Sequence, residues 1–313
     1  MRADPRFKDL PLNFWATVRS VSQSFGYSVR KKKSQPDAVS HGLVSVPSAE
    51  QIVCALEKTG LGTAFLGVEL NGSTWLGLLL DYFQYRANIL NNYVRLQLMD
   101  VVEAREMYEE TLARVGQKAQ LPENKQKGEK AVKAYLTGIV NLTIEENRQG
   151  MGIDYSPGRL TAIVRDKIPL RTMSRRLDGA MPHAINPVAV WEIKEYYFTT
   201  TFGSRIADGV YETMLDGMEF RELRENENVR VLHYFITDAY YTWWVKGRSY
   251  LCRLVELVNT GLVDEILFGR EVPERLPILV RSWVDLAKAR GDAGVIEMVP
   301  PSERKSRKKK TKP

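Results

Sequence analysis

A carboxylate and an ammonium stand two residues apart in the segment 187–195, Pro-Val-Ala-Val-Trp-Glu-Ile-Lys-Glu. Side chains alternate faces along a strand. Val188, Val190, Glu192 and Lys194 therefore share one face, and Ala189, Trp191 and Ile193 the other. Both faces are apolar over most of the run, which marks a central, covered strand. Glu192 and Lys194 at the end of such a strand are costly to bury without a partner, and a metal ion is one such partner. Asp178 lies upstream, in Arg-Arg-Leu-Asp-Gly-Ala at 175–180, ahead of a loop with Pro182 and Asn186-Pro187. A loop of that length lets 175–180 fold back beside the Glu192 strand as a hairpin. Asp178 and Glu192 then converge at the sheet end, with Lys194 next to them. Two carboxylates, the Ile193 main-chain carbonyl and waters make a reasonable Mg2+ site, in which Mn2+ can substitute. Such an ion polarises a phosphodiester and acidifies water. Lys194 would orient or deprotonate that water and stabilise the charge developing at phosphorus.

The elements that must position these residues alternate along the second half of the chain. Periodicity predicts a helix over 129–146, strands near 161–164, 175–180 and 188–196, and a helix over 201–223. A strand at 229–237, a helix at 243–260, a strand at 263–268 and a helix at 275–289 follow. That order implies an α/β fold, a mixed β-sheet with helices on both faces. In the 201–223 helix, Phe202, Ile206, Val210, Met214 and Met218 recur every four residues and form the expected core face. Arg205, Asp208, Glu212, Asp216 and Glu219 lie largely elsewhere and read as solvated. Residues 199–201, three threonines, can cap the start of that helix.

The first 120 residues read as mainly helical. Ser48 with Gln51 is a capping-box start. A long apolar pattern over 76–102 has more apolar positions than one narrow stripe needs, and the surplus is available to a second subunit. Polar residues 116–130 mark a boundary. The expected organisation is a helical domain over 1–120, a sheet domain over 121–300 and a basic tail over 301–313.

The arrangement of Asp178 followed by Glu192-Ile193-Lys194 resembles the PD-(D/E)xK nuclease superfamily, and type II restriction endonucleases within it. The likeness is strongest over 188–217 and covers the order helix, hairpin, helix and strand across 129–238. Leu177 precedes Asp178 where that pattern has proline. The resemblance implies a restriction-endonuclease-like core and Mg2+-dependent hydrolysis of double-stranded DNA. It further implies sequence-specific cuts on both strands, a homodimer carrying two active sites, and a DNA methyltransferase that protects the host. It also implies an acid from the preceding helix, for which Glu145 and Glu146 are available and Glu146 is preferred. The alternatives are a structure-specific or repair nuclease on the same fold, and a DNA-binding protein with an inactive core.

The chain has 313 residues and a formal charge of +7. Residues 303–313 hold seven Lys/Arg and one acid, so most of that excess is the tail. The basic run Arg30, Lys31, Lys32 and Lys33 and the tail residues Lys308, Lys309 and Lys310 are the expected DNA contacts. The three histidines, His41, His183 and His233, lack metal spacing. His183 lies in the loop after Asp178 and is weighed as a supporting residue. Cys54 and Cys252 sit in apolar patterns and read as core. No apolar run is long enough to cross a membrane, the N-terminus lacks a signal pattern, and a cytoplasmic protein is expected. Tyr240, Tyr241, Trp243 and Trp244 cluster after a strand and read mainly as core.

Overall fold

The computed structural model describes residues 1–8, 10–28, 42–116, 133–198 and 204–291. The N-terminal part runs α1 (Leu12–Phe25), α2 (Ala49–Lys58), the small hairpin β1 (Glu69–Leu70) and β2 (Ser73–Thr74), then α3 (Trp75–Ile89). A π turn at Leu90–Val94 leads into the short α4 (Arg95–Gln97) and then α5 (Val101–Val115). The second part begins with α6 (Tyr135–Asn147), β3 (Asp154–Tyr155), β4 (Ala162–Arg165), β5 (Ile168–Thr172), β6 (Gly179–Met181) and β7 (Ala189–Glu195). It continues with α7 (Ser204–Glu227), β8 (Leu232–Asp238), a π segment at Tyr241–Lys246, α8 (Arg248–Asn259), β9 (Glu265–Phe268) and α9 (Val272–Ala289). No described helix is long and apolar enough to cross a membrane.

The main sheet has the order β3-β6-β7-β8-β9. Its β3–β6 and β6–β7 pairs are antiparallel, and β7–β8 and β8–β9 are parallel. This is the mixed α/β architecture expected. The β4–β5 hairpin stands apart from the main sheet. Met1 closes the free edge of β9, its backbone exchanging hydrogen bonds with Ile266. One face of the sheet packs Trp191 and Ile193 against α6 and α9, with the Trp191 and Trp283 rings stacked 5.5 Å apart. Gly179 lies under the Trp191 indole so closely that a methyl group there would stand about 2.0 Å from the ring. The other face carries α7, α8 and the N-terminal helices.

The predicted helix over 76–102 breaks. Asp100 caps α5 through the N–H groups of Val102 and Glu103, and the Glu103 side chain returns a bond to the Asp100 N–H. The Met99 N–H donates to Asp238 Oδ1, which ties the break to the end of β8. Most of the apolar surplus of this region is consumed inside the chain. Leu79, Phe83, Leu90 and Val94 are fully buried in a core shared with α1 and α8. Tyr93, Leu96 and Val102 remain exposed. Tyr108 and Val115 of α5 belong to the α6–α9 core, so α5 packs with the sheet part and not with the other N-terminal helices. Cys252 is buried but Cys54 is exposed, against the expectation that both serve the core. Trp243 and Trp244 are buried as expected, and Tyr241 is exposed. The proposed basic contacts Arg30, Lys31, Lys32, Lys33, Lys308, Lys309 and Lys310, and the threonines at 199–201, lie outside the described residues.

Candidate active site

The β6–β7 register pairs Gly179 with Trp191, so Asp178 lies one position past the last pair, beside Glu192 and Ile193. The predicted strand over 175–180 is shorter than expected. Only residues from Gly179 pair, and the chain before it turns away to form a wall of the site. The Asp178 carboxylate takes over where the ladder stops, with Oδ2 accepting from the Ile193 N–H at 2.8 Å. The N–H and C=O of one strand residue point to the same side, so the Ile193 carbonyl opens toward Asp178 as well. Leu177, just before Asp178, is buried with Ile163, Met173 and Val190 and anchors this turn.

Along the same face, β7 and α7 meet in rungs. Two strand residues advance about 6.6 Å and four helical residues about 6.0 Å, so successive rungs stay nearly in step. Val190 packs with Phe220 and Leu223. Glu192 comes next, reached through Arg175 by Asp216. Lys194 Nζ then meets Glu212 Oε2 at 2.8 Å, and the Tyr196 hydroxyl donates to the Arg205 carbonyl at 2.8 Å. Gly209 clears the space for this packing, since a methyl group there would stand 2.8 Å from the Tyr196 oxygen and 3.4 Å from Lys194 Cε. The sheet face here is charged, so α7 turns acids and not methionines toward it. Asp216 and Glu219 are buried while Met218 is exposed. The expected split of α7 holds for buried Ile206 and Val210, for Met214 packed against the core, and for exposed Arg205 and Asp208, and fails at Asp216, Glu219 and Met218. The signal was present in the 212, 216, 219 spacing, which places three acids on one helix face.

Glu192 is buried, and one of its oxygens is crowded while the other is not. Oε1 lies 2.6 Å from Arg175 Nη2 and 2.6 Å from Lys194 Nζ. Oε2 is buried with no hydrogen-bond partner. Arg175 also reaches Asp216 Oδ2 at 2.7 Å and Glu212 at 3.3 Å. The second oxygen of Asp216, Oδ1, is likewise buried and unpartnered. Burial first and Glu192 second push Asp178 up to about 7. Burial, opposed by Arg175 and reinforced by Glu192, also pushes Asp216 up to about 7. Burial alone would lower Lys194, but Glu192 and Glu212 outweigh it and hold the ammonium well above its ordinary value.

Other expected contributors are elsewhere. The structure places Glu146 with Arg114 of α5, and Glu145 with Arg148 and Tyr155. The physical reason is that α6 packs on the Trp191 face of the sheet, opposite Glu192. Acids near Glu192 come instead from the following helix, α7. His183 does not support the site either. The loop holding it joins the far ends of β6 and β7, and its Nδ1 accepts from the Ile185 N–H. His233 is buried, with Nδ1 2.9 Å from the Leu262 carbonyl.

The donor chemistry suits a divalent ion of the Mg2+ type. Among the described residues, no three acidic, histidine or cysteine side chains converge to hold an ion by themselves. Mg2+ sites commonly use one or two carboxylates and keep several waters. Asp178 and Glu192 supply that number, and Glu192 Oε2 is the orphaned buried oxygen such an ion would satisfy. Four carboxyl groups, Asp178, Glu192, Glu212 and Asp216, face two cations, Arg175 and Lys194, so once Asp178 and Asp216 ionise, above about pH 7, negative charge is in excess for a cation to balance.

Raised carboxyl pKa values carry a consequence for stability. Asp178, Glu195, Asp216 and Asp238 are all pushed up to about 7, burial being the largest cause for each. Above the unfolded value near 4, the folded protein then binds more protons than the unfolded chain, so stability falls as pH rises through 7. His233, held neutral by burial, acts in the opposite sense only at the acid end. In EDTA the melting temperature is expected to drop from about pH 6 to about pH 8. A flat or rising profile would show that these acids are ionised in the folded protein.

A family model described as Domain of unknown function (DUF7687) matches residues 99–283. A second, described as Domain of unknown function (DUF7690), matches residues 1–93. The gap between the two matches, residues 94–98, holds α4, so α5 falls in the same match as α6, against which it packs. No curated protein and no solved structure matches the chain.

Proposed function

The chain belongs to the family described as Domain of unknown function (DUF7687), and we propose that it acts as a Mg2+-dependent DNA endonuclease centred on Asp178, Glu192 and Lys194. The observation that carries this reading is the meeting of three groups: Asp178 bonded to the Ile193 N–H beside Glu192, and Lys194 Nζ 2.6 Å from the Glu192 carboxylate. Asp178, Glu192 and the Ile193 carbonyl would hold the ion, with Mn2+ an acceptable substitute. Bound there, the ion would supply Lewis-acid polarisation of the phosphodiester and acidification of water. Asp178, locked by the Ile193 N–H, keeps its place without the ion. Lys194 is gripped by two carboxylates, so it serves as a fixed positive charge for the developing phosphorane and not as a proton acceptor. Arg175 neutralises Glu192 and Asp216 from the opposite side.

The resemblance to type II restriction endonucleases carries the rest of the proposal. It makes double-stranded DNA the substrate, cutting sequence-specific, the working form a homodimer, and a DNA methyltransferase the functional companion. Two opposed cuts require two active sites, which a two-fold dimer supplies. The test is incubation of the purified protein with phage DNA and Mg2+. Discrete fragments are expected. A smear or cutting of branched DNA would replace restriction with repair, and no cutting under any divalent ion would leave a binding protein and overturn the reading.

A further inference from the structure

The catalytic face continues into an open cleft of about 800 Å³, within the usual range for ligand sites. Its walls are the β3–β4 loop, including Ser156, Arg159 and Leu160, and the turn before β6, including Arg175, Arg176 and Asp178. The cleft is fixed to the catalytic strand, because the Ser156 N–H donates to the Asp178 carbonyl at 2.7 Å. Most arginines around it are already engaged. Arg171 meets Glu219 and Glu222, Arg175 meets Glu192 and Asp216, and Arg165 meets Glu227. Arg159 and Arg176 are different. Both are exposed at the cleft, and neither has an acid or hydrogen-bond partner among the described residues.

Two guanidiniums with no acid partner among the described residues are poised for an external anion. A guanidinium fork matches a phosphate in two parallel hydrogen bonds. Exposed Leu160 offers an apolar surface on the same wall. Resting on the nuclease reading above, we propose that this cleft binds the substrate strand beside the scissile phosphate, with Arg159 and Arg176 each meeting a backbone phosphate. The cleft leads onto Asp178, so a strand seated in it runs directly to the site of cleavage. These contacts are to the backbone and carry no base readout.

The experiment is equilibrium binding of the full chain to a fluorescent DNA duplex across a salt series, with Ca2+ in place of Mg2+. Wild type, Arg159→Ala, Arg176→Ala, the double variant and both Arg→Lys variants are compared. Each alanine is expected to flatten the slope of log K against log salt by about 0.9, and the double by about 1.8, on unrelated sequences alike. The lysine variants keep the charge and should retain most of the slope. Both side chains are exposed and have no partner among the described residues, so melting temperatures should match wild type and separate lost contacts from lost fold. If wild type binds and the double variant keeps its slope, the cleft is not the strand path. A loss confined to one sequence would make these residues base readers and overturn the assignment as well. Wild-type binding with the expected slopes but no cleavage in Mg2+ would leave the cleft standing and remove the nuclease reading. Absence of DNA binding by wild type would remove both.

Discussion

Glu192→Ala and Asp178→Ala are expected to abolish Mg2+-dependent cleavage and metal-dependent tightening on DNA together, whereas Lys194→Ala keeps metal binding and loses the chemical step. The difference follows from what each group touches. Asp178 lies beside Glu192 just past the end of the β6–β7 ladder, and Glu192 Oε2 is a buried oxygen without a hydrogen-bond partner. Removing either carboxylate removes a ligand. Lys194 contacts Glu192 and Glu212 and is a charge, not a ligand. Its loss should slow single-turnover cleavage by at least about 10²-fold, the usual size of a preorganised electrostatic group. Metal affinity, followed by calorimetry, should fall for the two carboxylate variants and survive in Lys194→Ala. Lys194→Ala also frees a crowded Glu192 oxygen, so its metal affinity should equal or exceed that of wild type. Near-normal cleavage by Glu192→Ala or Lys194→Ala would place the active site elsewhere.

The second large effect is expected at Arg175. Its guanidinium bridges Glu192 and Asp216, two of the most deeply buried acids in the molecule. Removing one partner of a buried ion pair commonly costs about 3–5 kcal/mol, because the remaining charge is left without compensation. Arg175→Ala should therefore lose several kcal/mol in urea unfolding carried out in EDTA. Lysine offers a single compact charge and cannot fork between two carboxylates, so Arg175→Lys should fall between alanine and wild type. Mg2+ should return part of the lost stability to Arg175→Ala, because an ion at Glu192 replaces part of the missing positive charge. Equal losses with and without Mg2+ would make Arg175 purely structural. A loss below about 1 kcal/mol, the scale of exposed pairs, would show that the bridge contributes little.

What the sequence by itself determined about this protein is local in origin. The alternation along 187–195 assigns Trp191 and Ile193 to one face and Glu192 and Lys194 to the other, because strand periodicity is a property of the backbone. The short loop from Asp178 to that strand set a hairpin whose last pair, Gly179 with Trp191, leaves Asp178 next to Glu192. The tertiary structure decided which helix lies over which face. The preference for Glu146 failed because α6 covers the Trp191 side, a choice no spacing within α6 records. Asp216 and Glu219 looked solvated because the repeat Phe202, Ile206, Val210, Met214 and Met218 alone defined the core face of α7. Only when α7 lies antiparallel along β7, four helical residues to two strand residues, do Asp216 and Glu212 reach the charges around Glu192 and Lys194. Arg175 and Asp178, three positions apart, diverge because pairing stops at Gly179. The carboxylate then caps the Ile193 N–H while the guanidinium crosses to Glu192 and Asp216. Local pattern chose the strand and its faces; long-range packing chose the counterions, because burial and charge compensation depend on neighbours that only the folded chain brings together.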